Sequence, residues 1–331
     1  MKRYFTSTSR FALWAIAALI VTNLSVSTSL AASRTWDAVA LGDWTTDVNW
    51  SQDTEPTSAD TAILSNTGTA QLLTGASGTY NSLYVGIAQS PGGGSIAISG
   101  GNLVGVSTTY LSAHQGGGEG HVTVTNAGTW NASILRVGNW GSNASLSIAS
   151  GGSVSSDGGV IGRGNKSVTP SSDYFSTGNS VTVSGTDSTW TSGQVGVGSY
   201  GSGNTLLIED GGLVQVTSAA ADSVFVSYEV ESFNNYIRLD GGYLAWSGDQ
   251  TANIASFVND GQIQLWNGAG WETIAAANYA YFASAAEAEA VTGRSGLGGY
   301  TVVSSQAVPE PGTSVLLFLG AGILASRRCR L

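Results

Sequence analysis

Residues 137–154 and residues 197–214 can be aligned without a gap, and this repeat constrains the fold more than any other feature of the chain. The two segments read VGNWGSNASLSIASGGSV and VGSYGSGNTLLIEDGGLV. Each contains Val-Gly, an aromatic residue, a Leu-x-Ile strand pattern and a Gly-Gly pair before the last valine. One such unit is too small to bury its own apolar side chains, so copies of it must stack on one another.

Weaker copies extend the repeat along most of the chain. The Val-Gly position recurs at intervals of 24 to 36 residues, at Val85, Leu111, Val137, Ile161, Val197 and Val226. The longest interval contains the segment 165–178, which we predict to be a protruding loop. A further copy is predicted to begin at Ile254, with Ile263 and Leu265 in its second strand.

The composition of the chain favours strands over helices. Glycine accounts for 46 of the 331 residues and charged residues for 10%, and Gly, Ser, Thr and Val are all poor helix formers. Apolar residues alternate with polar ones, as at Leu146 and Ile148, while glycine pairs mark the turns. We therefore predict an all-β fold, a right-handed parallel β-helix of about six to seven coils with terminal caps. A β-sandwich or a barrel of hairpins is the alternative, because the strand spacing also allows it.

The two ends of the chain differ from the repeats. Lys2 and Arg3 precede an apolar run that is shorter than the roughly 20 residues of a membrane span, and small residues follow it, which predicts a signal peptide. A Trp-rich region and a later helix-like segment, 271–293, are predicted to cap the solenoid. The predicted organisation is a signal peptide at 1–32, an N-terminal capping region at 33–78, β-helix repeats at 79–270, a C-terminal cap with a short helix at 271–307 and a terminal segment at 308–331.

The terminal segment combines three features in order. Pro309, Glu310 and Pro311 come first, an apolar stretch at 315–325 follows, and Arg327 and Arg328 lie close to the end. The prolines keep the peptide around Glu310 extended. Basic residues favour the cytoplasmic side of a membrane, which would leave the body of the protein outside.

This arrangement resembles the PEP-CTERM sorting signal of exported proteins in Gram-negative bacteria that make extracellular polysaccharide. The resemblance implies that an exosortase-type membrane protease is a partner and that Pro309, Glu310 and Pro311 form the recognition motif. It also implies a transient inner-membrane association through 315–325, with Arg327 and Arg328 as the cytoplasmic stop. The repeats resemble those of autotransporter passenger domains, which implies a secreted β-helix.

The charge of the presumed mature region excludes some partners. Residues 33–308 contain 21 acidic and 6 basic residues, so a nucleic-acid partner is not expected. The single cysteine, Cys329, lies in the terminal segment, and the body can form no disulfide.

The sequence contains no pattern that points to catalysis. His114 and His121 lie around a Gly-rich turn with Glu119, which does not amount to a metal-ligand set, and no Ser has the surroundings of a nucleophile. We predict no catalytic site, no metal site and no cofactor. Trp140 and Tyr200 occupy matching turn positions in the two best repeats, and they are candidate sugar contacts.

These observations lead to a functional hypothesis. We expect an exported, exosortase-sorted repeat protein without enzymatic activity, which acts as a structural or adhesin-like component of the cell surface or the extracellular polysaccharide matrix. Extracellular polysaccharide is a candidate partner. A polysaccharide-active β-helix enzyme, a lyase or a hydrolase, is one alternative, and a carbohydrate-binding module is another.

Overall fold

Short strands that pair with their equivalents one turn further along the chain make up most of the protein. The structure is a computed structural model, and it describes residues 31–87, 92–114, 117–164, 175–229 and 231–305. The features below belong to the unit that begins at Ala32.

The strands form three sheets, and their bounds follow in sheet order. Sheet A contains β1 (Ser33–Thr35), β3 (Thr61–Leu64), β6 (Ser82–Val85), β9 (Thr108–Leu111), β12 (Ile134–Asn139), β15 (Gly158–Arg163), β18 (Val195–Val197) and β21 (Val224–Val226). Sheet B contains β2 (Leu41–Asp43), β4 (Thr69–Leu73), β7 (Gly94–Ser99), β10 (Gly120–Thr125), β13 (Ser145–Ala149), β16 (Ser180–Ser184), β19 (Thr205–Glu209), β22 (Tyr236–Asp240), β24 (Ile263–Trp266) and β25 (Trp271–Thr273). Sheet C contains β26 (Tyr279–Phe282), β27 (Tyr300–Ser304), β23 (Tyr243–Ser247), β20 (Leu213–Val216), β17 (Thr189–Ser192), β14 (Ser153–Ser156), β11 (Thr129–Asn131), β8 (Asn102–Gly105) and β5 (Ser77–Tyr80).

The strand order shows a parallel solenoid with three strands in each full turn. Leu146 of β13 pairs with Val181 of β16, and Val181 pairs with Leu206 of β19, all in parallel. The predicted all-β parallel β-helix is therefore confirmed, and the alternative of a sandwich or a barrel of hairpins is wrong. The solenoid has about eight turns, slightly more than the six to seven predicted. The structure has more turns than predicted because β1 to β5, which precede the first repeat recognisable in the sequence, also stack in the sheets.

Alternation along each strand places one apolar row of every sheet in a continuous core. In β13 and β19 the leucine and isoleucine of the Leu-x-Ile pattern are buried, and the residues between them face outwards. At the N-terminal end, Trp36, Trp44 and Trp50 are all buried, and the ring of Trp50 packs edge-on against both others at 4.9 and 4.7 Å. These indoles fill the first turn of the core.

The Gly-Gly pairs form the turns between sheets B and C. Gly151 has a φ of +76°, a backbone conformation that is strained for a residue with a side chain. At Gly152 an added Cβ would clash with the carbonyl oxygen of Val124 in the preceding turn, and Gly212 meets Val183 in the same way. The second glycine of the pair is therefore required by the close approach of two turns.

A row of buried asparagines follows the turns between sheets A and B. Asn179, Asn204 and Asn235 each precede a strand of sheet B, and each is at most 1% exposed. Their amides are hydrogen-bonded to one another and to backbone N–H groups of neighbouring turns. The row supplies partners for polar groups that the turns bury.

The C-terminal end departs from the repeat. Helix α1 (Thr251–Asn259) stands where a further repeat was predicted to begin, and Ile254 is buried on that helix, while Ile263 and Leu265 lie in β24 as expected. The strands β25, β26 and β27 pair antiparallel, in contrast to the rest.

The helix-like segment 271–293 is helical only in its last part. Helix α2 (Ala285–Thr292) begins after Ser284, whose Oγ accepts a hydrogen bond from the Glu287 N–H, and Gly293 ends it with φ +68°. The residues before it form β25, a short 3-10 turn at Ala276–Asn278 and β26. Alternating burial in Tyr-Ala-Tyr-Phe and pairing with β27 outweigh the helix propensity of the alanines here. Two further 3-10 turns, Asp47–Asn49 and Ser51–Asp53, lie in the first turn of the solenoid.

No helix among the residues that the structure describes is long and apolar enough to cross a membrane.

Candidate functional site

Three neighbouring strands of sheet A place Tyr84, Tyr110 and Arg136 in one row on the outer face. Tyr84 of β6 pairs with Tyr110 of β9, and Tyr110 pairs with Arg136 of β12. The residues on either side of each are core residues, so these three side chains face outwards. The two tyrosine rings are stacked, with centroids 4.9 Å apart and planes inclined by 19°. Two adjacent turns therefore contribute one aromatic stack to the outer surface of sheet A.

The turns that follow these strands make the surface concave. Ile87, Ala113 and Trp140 lie after β6, β9 and β12, and together with the tyrosines and Arg136 they line a groove of about 240 Å³. Trp140 has φ +68°, and its backbone N–H donates to the carbonyl oxygen of Arg163 at 2.9 Å. We call this site the tyrosine groove.

The tyrosine groove carries positive charge. The Arg136 guanidinium lies 5.3 Å from the centroid of the Tyr110 ring, and its Nη1 donates to the Tyr110 hydroxyl at 3.4 Å. On the next strand, Arg163 donates to Oδ1 of Asn139, a buried residue that also lines the groove, at 3.4 Å. Arg163 of the next turn thus contacts a lining residue of the groove, while Arg136 is itself part of the lining.

The groove also shifts the titration of its members. Burial, followed by the charge of Arg163, lowers the pKa of Arg136 from its ordinary value. Burial, followed by the neighbouring Tyr110, raises the pKa of Tyr84. The guanidinium remains a permanent cation at any physiological pH.

Neither arginine of the groove has an acidic partner in the described ranges. Across those ranges the ion pair within 4.0 Å is the one between Nε2 of His121 and the Glu119 carboxylate, at 3.5 Å. Arg136 and Arg163 are therefore held by neutral groups, namely Tyr110 and Asn139.

The structure separates the two predicted sugar contacts. Trp140 lies in the tyrosine groove, whereas Tyr200 occupies the matching turn two coils further along, after β18. The insertion predicted as a loop at 165–178 follows β15 in the sequence, and its residues 165–174 lie outside the described ranges. Sugar contact by Trp140 or Tyr200 stays a prediction.

The two histidines lie apart from one another. His114 is exposed at the edge of the tyrosine groove. His121 is in β10, with Nδ1 2.7 Å from Oγ of Ser145. Within the described part of the chain, no group of three or more His, Cys, Asp or Glu side chains is placed to hold a metal ion.

The terminal segment is identified by its sequence. Pro309, Glu310, Pro311, Arg327 and Arg328, together with the apolar stretch between them, lie outside the described residues. Comparison with protein families matches residues 307–330 to the PEP-CTERM protein-sorting motif, one position earlier at each end than predicted. The chain carries a PEP-CTERM sorting motif. The predicted resemblance is confirmed, and the motif implies an exported protein that is anchored in a membrane before it is processed by an exosortase.

No curated protein and no solved structure matches the chain significantly. The family match covers residues 307–330 alone, so the tyrosine groove has to be interpreted from its own chemistry.

Sequence reasoning missed Tyr84, Tyr110 and Arg136, although a signal was present. Each of them stands one residue before the repeated Val-Gly position, at Val85, Leu111 and Val137. When the repeat copies are aligned, this position holds Tyr, Tyr and Arg in three consecutive copies. In-register stacking then brings the three together.

Proposed function

We propose that this protein is an exported, non-catalytic β-solenoid that acts as a structural, adhesin-like component of the cell surface or the extracellular polysaccharide matrix. The observation that carries the proposal is the PEP-CTERM motif at the end of a chain whose body is a repeat solenoid. Such a body offers long, regular outer faces to a polymer and buries its apolar residues in one core.

The outer faces support this proposal by their chemistry. On sheet C, Thr129 donates to Asn102 at 2.8 Å and Thr189 to Ser153 at 3.1 Å, from one turn to the next. These rows repeat hydroxyl and amide groups at the spacing of the strands, about 4.8 Å. A surface with many neutral hydrogen-bonding groups and few charges suits contact with hydrated polymers.

The non-catalytic part of the proposal is supported by the sequence, which contains no nucleophile motif such as G-x-S-x-G and only two histidines that could act as a base. The runner-up function is a polysaccharide lyase or hydrolase on the same scaffold. Incubation of the full-length protein with the host's extracellular polysaccharide separates the two. Chain shortening detected by size-exclusion chromatography would favour the enzyme.

The sorting part of the proposal is tested by the fate of the last residues in the native envelope. We expect mass spectrometry of the surface-located protein to find the terminus cut at the PEP-CTERM motif. Glu310→Ala should leave the segment attached and the protein in the membrane fraction. Gln306→Ala, just before the matched residues, is the control and should be processed normally. Intact residues 312–331 in the mature surface protein would contradict the proposal.

The matrix part is tested by deletion of the gene. We expect the matrix to lose cohesion under shear, and we expect the wild-type gene to restore it. Unchanged cohesion, with the protein absent from isolated matrix, would overturn the structural role while leaving sorting intact.

A further inference from the structure

We propose that the tyrosine groove binds one acidic sugar residue, a pyranose that carries a carboxylate, within an extracellular polysaccharide. This inference names the partner of the matrix component proposed above and rests on that proposal for its biological setting. Its physical basis is separate, because it depends only on side chains of the folded solenoid.

The aromatic part of the groove fits a sugar ring. Tyr84 and Tyr110 stack on each other, so their ring edges and hydroxyl groups, and not the faces they share, are available to a ligand, and Trp140 is the third aromatic residue of the lining. A pyranose has apolar C–H groups and polar hydroxyls, which suit a lining that combines aromatic carbon with polar groups. Ile87 and Ala113 add apolar contacts.

The size of the groove limits the occupant. At about 240 Å³ it falls below the 300 to 1,000 Å³ typical of sites for drug-sized ligands. It has room for a single sugar ring, and the rest of a polysaccharide would extend along the outer face of sheet A.

The charge of the groove selects the acidic sugar. The chain has 22 acidic and 12 basic residues, yet Arg136 lines the groove and Arg163 donates to Asn139, another lining residue. No described carboxylate is within 4.0 Å of either arginine. The lowered pKa of Arg136 reflects burial first and then the positive charge of Arg163. A bound anion offsets this positive charge, and a guanidinium matches the two oxygens of a carboxylate.

The same residues argue against a neutral sugar as the preferred ligand. Sites for neutral ligands orient hydroxyl groups with a few placed polar groups, whereas this groove has one permanent cation in its lining, Arg136, and a second, Arg163, bonded to the lining residue Asn139. Nucleic acid, the other common polyanion, is bound through cations that contact several phosphates, and among the described residues only Arg136 lines the groove as a permanent cation, with Arg163 next to it.

The test compares two ligands that differ only in the acidic group. Methyl glucuronoside and methyl glucoside are titrated into the full-length protein at low salt and followed by ligand-observed NMR. We expect the glucuronoside to bind at least tenfold more tightly and its binding to weaken as salt increases. Equal affinity for the two sugars would overturn the proposal, and so would the absence of binding by either.

Variants assign the interaction to the groove. Arg136→Gln should weaken glucuronoside binding by about 10- to 100-fold, as expected for a lost charge-assisted hydrogen bond. Arg136→Lys should recover part of the affinity, because lysine keeps the positive charge but cannot bind a carboxylate with two parallel hydrogen bonds as a guanidinium does. Tyr110→Ala should weaken binding of both sugars, and a wild-type melting temperature for each variant excludes a folding effect.

Arg238→Gln is the matched control. Arg238 also lies on an outer face, over the rings of Tyr236 and Trp271 at 4.7 and 5.0 Å, but on sheet B and away from the groove. We expect this variant to bind like the wild type. An equal loss of affinity in Arg238→Gln and Arg136→Gln would show a nonspecific charge effect and overturn the site.

Acetate is titrated as a third ligand, because a bare anion shares the carboxylate. Binding of acetate as tight as that of the glucuronoside would show that the sugar ring contributes nothing and would overturn the proposal. Since these measurements need no sorting machinery, failure of the PEP-CTERM experiment would leave them unaffected, and the reverse also holds.

Discussion

The side-chain amide of Asn179 donates a hydrogen bond to Oδ1 of Asn204 at 2.8 Å, across the boundary between two turns of the solenoid. The backbone N–H of Asn179 donates to the same oxygen at 3.0 Å. Asn204 repeats both bonds with Asn235 in the next turn, at 2.9 and 3.0 Å. Asn204 therefore accepts from the turn before it and donates to the turn after it, which fixes the register of adjacent turns where sheet A passes into sheet B.

Replacement of Asn204 by Ala should destabilise the solenoid by about 2 to 4 kcal/mol. It leaves the buried backbone N–H of Asn179 without its acceptor and removes one acceptor of the Asn179 amide, which still donates to Ser176 Oγ at 2.9 Å. Each unpaired buried donor costs about 1 to 3 kcal/mol. Urea unfolding followed by tryptophan fluorescence measures the change.

Asn131→Ala is the control for that variant. Asn131 is exposed on β11, where its Oδ1 accepts from the N–H of Ser133 at 3.2 Å. We expect a change within about 0.5 kcal/mol, as for most surface substitutions. Equal losses in the two variants would contradict a special role for the buried row.

Gly152→Ala should destabilise the protein by about 1 to 3 kcal/mol, because the new methyl group collides with the carbonyl oxygen of Val124 in the turn before it. Gly270→Ala is the matched substitution in open space, with no atom within 4 Å of the added Cβ. It should be neutral or stabilise by up to about 1 kcal/mol, since alanine restricts the unfolded chain. Thermal melts of both variants measure the change in stability. A Gly152→Ala protein as stable as the wild type would contradict the close approach of Gly152 to Val124.

Asp60 should make stability depend on pH. It is buried near the first turn, and burial opposes its ionisation. Hydrogen bonds from Thr57 at 2.7 and 2.9 Å and from the Ala32 N–H at 2.8 Å, together with the charge of Arg34, nevertheless lower its pKa. A carboxylate with a lowered folded pKa contributes stability above its unfolded pKa of about 4 and loses it as the pH falls through the folded value.

Asp60→Asn should therefore be less stable than the wild type at pH 7, and the difference should shrink below about pH 4. Denaturant unfolding at a series of pH values measures the difference. Glu209→Gln should change stability at pH 7 in the opposite direction, because burial and then the charge of Asp210 raise the pKa of Glu209. That variant should gain or keep stability at pH 7 and converge with the wild type in acid. A difference for Asp60→Asn that does not vary with pH would rule out this account.

Part of the candidate site could be predicted from the sequence. Alignment of the two best repeats singled out Trp140 as an aromatic residue at a turn, and the structure places it in the tyrosine groove. Its neighbours Tyr84 and Tyr110 come from earlier turns, 26 residues apart in the chain. Their stacking depends on the register in which β6 pairs with β9, and the sequence of a single repeat does not show that register.

The sequence by itself determined the repeat, its alternating apolar residues and the sorting motif, and it favoured a stacked parallel solenoid over a sandwich. One repeat cannot bury its own apolar residues, which favours stacking, and the motif is a local pattern that needs no folded context. The tertiary structure decided where the solenoid ends, since Ile254 joins a helix and Tyr279–Phe282 joins a strand although their local propensities allow other states. It also decided that Tyr84, Tyr110 and Arg136 meet, because contacts between successive turns depend on how the strands pair, and strand pairing is settled only when the whole core packs.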